Sequence, residues 1–109
     1  MASSQPELTV TTSAEDATTV LGVCGELDIG TAPVLRDTFL RLLDQDDVPE
    51  IVLDMSGVAF CDSSGLAVLL MGARRWNAEG KRFALRRPSP TLERLVDLTG
   101  VRRAFEFEG

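Results

Sequence analysis

Two periodicities alternate along this chain, and each change from one to the other marks the end of an element. Residues 8–12 alternate apolar and polar side chains and are rich in threonine, as a half-exposed strand is. Glu15-Asp16 reads as a turn and residues 18–24 as a second β-rich run. Together they predict a hairpin that runs out into a loop at Gly25-Glu26-Leu27-Asp28. The spacing then becomes helical: Leu35, Phe39, Leu42 and Leu43 fall at i, i+4, i+7 and i+8, one buried stripe. Thr31 before Ala32 and Pro33 supplies a hydroxyl N-cap and a proline in the first turn. This helix should stop near Asp44, where a polar connector ending in Pro49 begins.

The rest of the chain is organised around residues 51–70, IVLDMSGVAFCDSSGLAVLL. Its three opening aliphatics predict a strand over residues 51–54, buried on both faces. Leu66, Leu69, Leu70 and Ala73 then recur at i, i+3, i+4 and i+7, predicting a helix from the Asp62-Ser63-Ser64-Gly65 step to about Glu79, closed by Gly80. Gly72 lowers the propensity of that helix and marks a possible close packing contact. Residues 82–86 alternate again, with Phe83 and Leu85 on one face, and predict a fourth strand. Ser89-Pro90 repeats the hydroxyl-then-proline start, Leu92, Leu95 and Val96 face inward, and Gly100 ends that helix. Residues 104–108 alternate as a last strand. The order β-β-α-β-α-β-α-β predicts an α/β fold: a mixed sheet with helices packed on it, antiparallel only in its leading hairpin.

Composition narrows the function. At 109 residues and 44% hydrophobic content the chain predicts one domain over residues 1–109, with residues 1–6 a flexible polar tail. No apolar run approaches the roughly 20 residues that cross a bilayer, which predicts a cytoplasmic protein with no membrane partner. Cys24 and Cys61 sit in apolar sequence and read as small buried hydrophobes. With no histidine, Ser-His and Cys-His catalysis are excluded, and with two distant cysteines no metal site is expected. Neither GxSxG, GxxxxGK[ST] nor GxGxxG occurs, so no enzyme activity and no cofactor are predicted. The net charge of -6 divides into -9 over residues 1–60 and +3 over residues 61–109. An acidic total disfavours nucleic acid as a partner.

The Asp62 to Gly65 step is the candidate site. It places two hydroxyls at a helix N-terminus, where the first backbone N–H groups lack intrahelical partners and the dipole favours negative charge. Such a place suits a phosphate. Gly65 removes a side chain that would obstruct a docking enzyme, and Leu66 and Leu69 anchor the helix behind. The alternative role for Asp62 or Ser63 is a plain N-cap.

The setting VLDMSGVAFCDSSGLAVLL, with the earlier GELDIGTAP loop and helix start, resembles the STAS family, specifically the bacterial anti-sigma factor antagonists, from the first strand to the last helix. The resemblance implies a domain that binds an anti-sigma factor serine/threonine kinase and is phosphorylated on the serine directly before the motif glycine. Here that serine is Ser64, with Asp62, Ser63 and Gly65 flanking it and Asp28 of the GELD segment on the same partner-binding face. It further implies that the unphosphorylated chain captures the kinase and frees a sigma factor, that the phosphorylated chain lets go, and that a phosphatase acting on phosphorylated Ser64 resets it. Cys61 departs from the small or aliphatic residue usual at its position. STAS-like domains also serve as accessory subunits of lipid transporters and in stress-sensing complexes, which is the alternative role. Phosphorylation adds about -1.5 to -2 charges. The helix dipole offers such an anion roughly 0.3 to 1 kcal/mol, and Asp62 opposes it. The terms are small and opposed, so the expected switch is one of surface charge rather than of shape.

Overall fold

In the computed structural model, which describes residues 8–108, Thr9–Glu15 (β1) and Thr18–Leu27 (β2) fold back on each other through Asp16, whose φ of 57° lies in the left-handed region. The tail read over residues 1–6 lies outside the described residues. Ala32–Leu43 (α1), Glu50–Cys61 (β3), Ser63–Ala78 (α2), Arg82–Arg86 (β4), Pro90–Thr99 (α3) and Glu106–Glu108 (β5) follow. The strands lie side by side in the order β1-β2-β3-β4-β5, antiparallel in the hairpin and parallel thereafter. This is the α/β architecture and the element order that the alternating periods predict.

Leu21, Val23, Ile51, Leu53, Phe83 and Leu85 form the sheet side of a single core, which also takes in the buried stripes of all three helices. Gly72 is where α2 comes closest: a Cβ there would lie 2.7 Å from the Phe39 ring and 2.8 Å from that of Phe83, which meet edge to face at 5.1 Å. The indole of Trp76, fully buried, donates to the carbonyl oxygen of Phe39 at 3.3 Å, and Lys81 Nζ caps the end of α1 on the carbonyls of Leu43 and Gln45, both at 2.9 Å. On α3, Ser89 Oγ accepts from Leu92 N at 3.2 Å and Gly100 closes the helix at φ 73°, both as the sequence predicts.

Strand alternation puts Val20, Val52 and Ala84 on the opposite face with a ladder of charge. Arg82 pairs there with Glu50 and Glu106, Arg86 with Glu15 and Glu108, and Arg87 with Asp54. Burial pulls the Asp54 carboxyl up, but hydrogen bonds from Ser56 and the nearby Arg87 and Arg86 hold it below the usual range.

Five local expectations change. β2 does not end at Cys24, and β3 does not end at Asp54. They continue to Leu27 and Cys61 respectively, because the tails pair with one another, Gly25 with Val58, Glu26 with Phe60 and Leu27 with Cys61, through register shifts between Gly22 and Cys24 and between Gly25 and Glu26. Cys24 is exposed rather than buried, since Val23 faces the core and its neighbour must point away. The last strand is only Glu106–Glu108, and Arg102–Ala104 forms a 3₁₀ turn instead. Thr31 does not cap α1 with its side chain: its hydroxyl donates to the carbonyl of Glu26 at 2.7 Å and accepts from Asp28 N at 3.0 Å.

Candidate functional site

The paired tails of β2 and β3 finish level, and each is followed at once by an aspartate and a helix. Asp28 Oδ1 accepts from Gly30 N at 2.9 Å and Thr31 N at 3.1 Å, so the first loop is an aspartate turn held by its own backbone. Asp62 Oδ1 does the same at the second, accepting from Ser64 N at 2.9 Å and Gly65 N at 3.1 Å. This is N-capping, the simpler of the two roles open to Asp62 from sequence. Asp62 N donates to the carbonyl of Leu27 at 3.2 Å and ties the second loop to the strand that leads into the first.

Ser63 is the first residue of α2 and is exposed; Ser64, the second, is half-buried. Gly65 is buried, and a Cβ on it would lie 2.7 Å from Leu27 Cγ, 2.8 Å from Cys61 Sγ and 2.8 Å from the Leu27 carbonyl oxygen. The space it leaves is therefore filled from within. The glycine seats the helix on the two strand ends rather than clearing the solvent side for an enzyme. Leu66 and Leu69 anchor the helix in the core behind it.

Ser64 opens onto an apolar groove of about 290 Å³ that runs between α1 and α2. Ile29, Pro33 and Arg36 form one bank; Ser64, Val68 and Met71 form the other. Ile29 is 79% exposed, a large aliphatic held in water beside Asp28. Sequence reasoning overlooked this groove and Arg36. The visible signal was Ile29, an aliphatic in an otherwise polar loop, spaced i, i+4 and i+7 with Pro33 and Arg36.

A larger hollow of about 590 Å³ lies between Arg86, Arg87, Arg102 and Phe107. Each of its three guanidinium groups is already engaged by carboxylates. Among the described residues no helix is long and apolar enough to cross a membrane.

The two thiols differ sharply. Burial and the neighbouring Asp62 carboxylate push Cys61 up to about 11, which keeps it protonated and unreactive at neutral pH. Iodoacetamide at pH 8 is expected to alkylate Cys24 in the native chain and to leave Cys61 untouched until denaturant is added. Peptide mass spectrometry reads both sites, and native labelling of Cys61 would contradict the packing around Gly65.

A family model described as "Mlab, STAS domain" matches residues 10–106. The chain is 31% identical over 84 residues to an anti-sigma F factor antagonist of Lysinibacillus sphaericus, spanning 77% of this chain and 72% of the relative. Among solved structures, an anti-sigma factor antagonist from Mycobacterium paratuberculosis superposes with a TM-score of 0.81 at 30% identity, covering 93% of this chain and 85% of that one. The Bacillus cell fate determinant SpoIIAA in its phosphorylated form shares the fold, with a TM-score of 0.70 at 24% identity over 94% of this chain and 91% of that one.

Proposed function

The chain belongs to the STAS domain family, with anti-sigma factor antagonists as its relatives, and from that premise we propose that it binds an anti-sigma serine/threonine kinase and is released by phosphorylation of Ser64. One observation carries the reading. Ser64 is a reachable hydroxyl on a helix whose start is fixed by Asp62 and Gly65, at the mouth of an apolar groove beside the Asp28 loop. A partner that covers this face desolvates Ser64. A neutral hydroxyl tolerates that, whereas a doubly charged phosphate buried without a partner costs several kcal/mol. The same fold in a phosphorylated relative supports the idea that the charge, not a new shape, is the signal. In the cell the partner set is the kinase and a phosphatase that resets Ser64, in the cytoplasm.

Ser64→Ala is expected to bind the kinase as the parent does and to resist modification, while Ser64→Asp binds about tenfold or more weakly. Titration calorimetry with the purified kinase, followed by phosphopeptide mass spectrometry after ATP is added, measures both. Equal affinity of the two variants sinks the reading. A second reading makes the chain an accessory subunit of a lipid transporter or of a stress-sensing complex, the other roles that STAS-like domains fill. Co-purification with a membrane ATPase rather than a soluble kinase decides for that alternative.

A further inference from the structure

Three of the backbone donors that normally receive an anion at a helix start are already taken when a phosphate is placed on Ser64. The N–H groups of Ser64 and Gly65 are occupied by the Asp62 carboxylate, and that of Leu66 by the Asp62 carbonyl at 3.0 Å. Asp62 also brings a negative charge of its own to the same turn. With so little left of the helix start, a cation from another element is the better partner for the new dianion.

Among the residues that line the groove, Arg36 is the one with a charge. α1 and α2 both leave the ends of parallel strands, and those ends are level, Leu27 opposite Cys61. The two helices therefore start from the same edge of the sheet. Arg36 stands in the second turn of α1, and long helical side chains lean back toward the N-terminus. That lean carries its guanidinium toward the level of Ser64. Its present partner is the adjacent Asp37, at 3.6 Å, with the two side chains 54% and 69% exposed. Exposed pairs of this kind hold little free energy, and a dianionic phosphate competes well against one carboxylate.

We propose that Arg36 is the phosphate-binding residue of this site: once Ser64 is phosphorylated, the guanidinium crosses the groove and pairs with the phosphate. The pair then lies over the space between Ile29, Pro33, Val68 and Met71. Release of a partner thus has two parts, the added charge and the covered apolar groove. The proposal rests on Ser64 being the modified residue, but its test does not require the kinase.

Phosphoserine is placed at position 64 of the full chain during translation, and the phosphate is titrated by ³¹P NMR in the parent and in Arg36→Gln. The second ionisation of a free phosphoserine lies near 6. A guanidinium partner favours the dianion, so Arg36→Gln is expected to raise the midpoint by about half a unit or more, and Arg36→Lys to keep most of the parent value. A non-specific phosphatase is expected to remove the phosphate several-fold faster from Arg36→Gln. Superposable titration curves for the parent and Arg36→Gln overturn the proposal, whatever the kinase does. Failure of the kinase to modify the unmodified chain overturns the proposed function and leaves these curves as they are. Circular dichroism confirms that the exposed substitution leaves the fold intact.

Discussion

Trp76→Ala is expected to lower the unfolding free energy by about 3–5 kcal/mol, the usual loss for deleting a fully buried large aromatic. That is a large share of the 5–15 kcal/mol available to a domain of this kind. The indole has no solvent exposure, lies in the same cluster as Phe39, Leu69 and Phe83, and donates to the Phe39 carbonyl. Lys81, which caps the end of α1, stands over its ring at 5.5 Å. Removing the indole therefore opens a cavity and loosens the tie between the two helices that frame the groove. Urea unfolding followed by far-ultraviolet circular dichroism measures the loss, since Trp76 is the only tryptophan and the variant has no indole signal. A midpoint close to that of the parent would show that the helices are not held together at this point.

Gly65→Ala is the second large effect, and its sign is the informative part. In an exposed helix interior, glycine to alanine stabilises by roughly 1 kcal/mol through backbone entropy. At Gly65 the added methyl would lie 2.8 Å from the carbonyl oxygen of Leu27, as well as against Leu27 Cγ and Cys61 Sγ, and backbone cannot turn aside as a side-chain tip can. The helix start must shift outward, so a loss of about 1–3 kcal/mol is expected. The same shift moves Ser64 relative to the Asp28 loop, and kinase-dependent phosphorylation should slow along with the fall in stability. An alanine variant as stable as the parent would mean that the helix is not seated on the strand ends.

The fold was largely legible because its signals are local. Ser89, Pro90 and Gly100 delimit α3, and the stripe through Leu35, Phe39, Leu42 and Leu43 delimits α1, from side chains a few residues apart. What sequence missed depends on pairing between distant segments. Gly22, Gly25, Asp54, Ser56 and Gly57 dilute the apolar pattern where β2 and β3 run on, and only their mutual register keeps those tails extended. Asp62 and Ser64 were singled out from a motif with a physical reason behind it, and the N-cap at Asp62 is the part of it the structure shows. The groove and Arg36 were not, because that surface is assembled from residues 29–36 and 64–71, which meet only after α1 and α2 have docked.

The tie from Asp62 N to the Leu27 carbonyl gives that assembly a further meaning. Under the proposed function, a visiting kinase would meet a composite epitope stitched from two crossover units, not a linear consensus. A short peptide carrying DSSG lacks the Asp28 loop, the Ile29 knob and the fixed helix start, and so lacks most of what marks this serine out. Under that function, modification would report on the folded population alone, and nascent or damaged copies would be passed over.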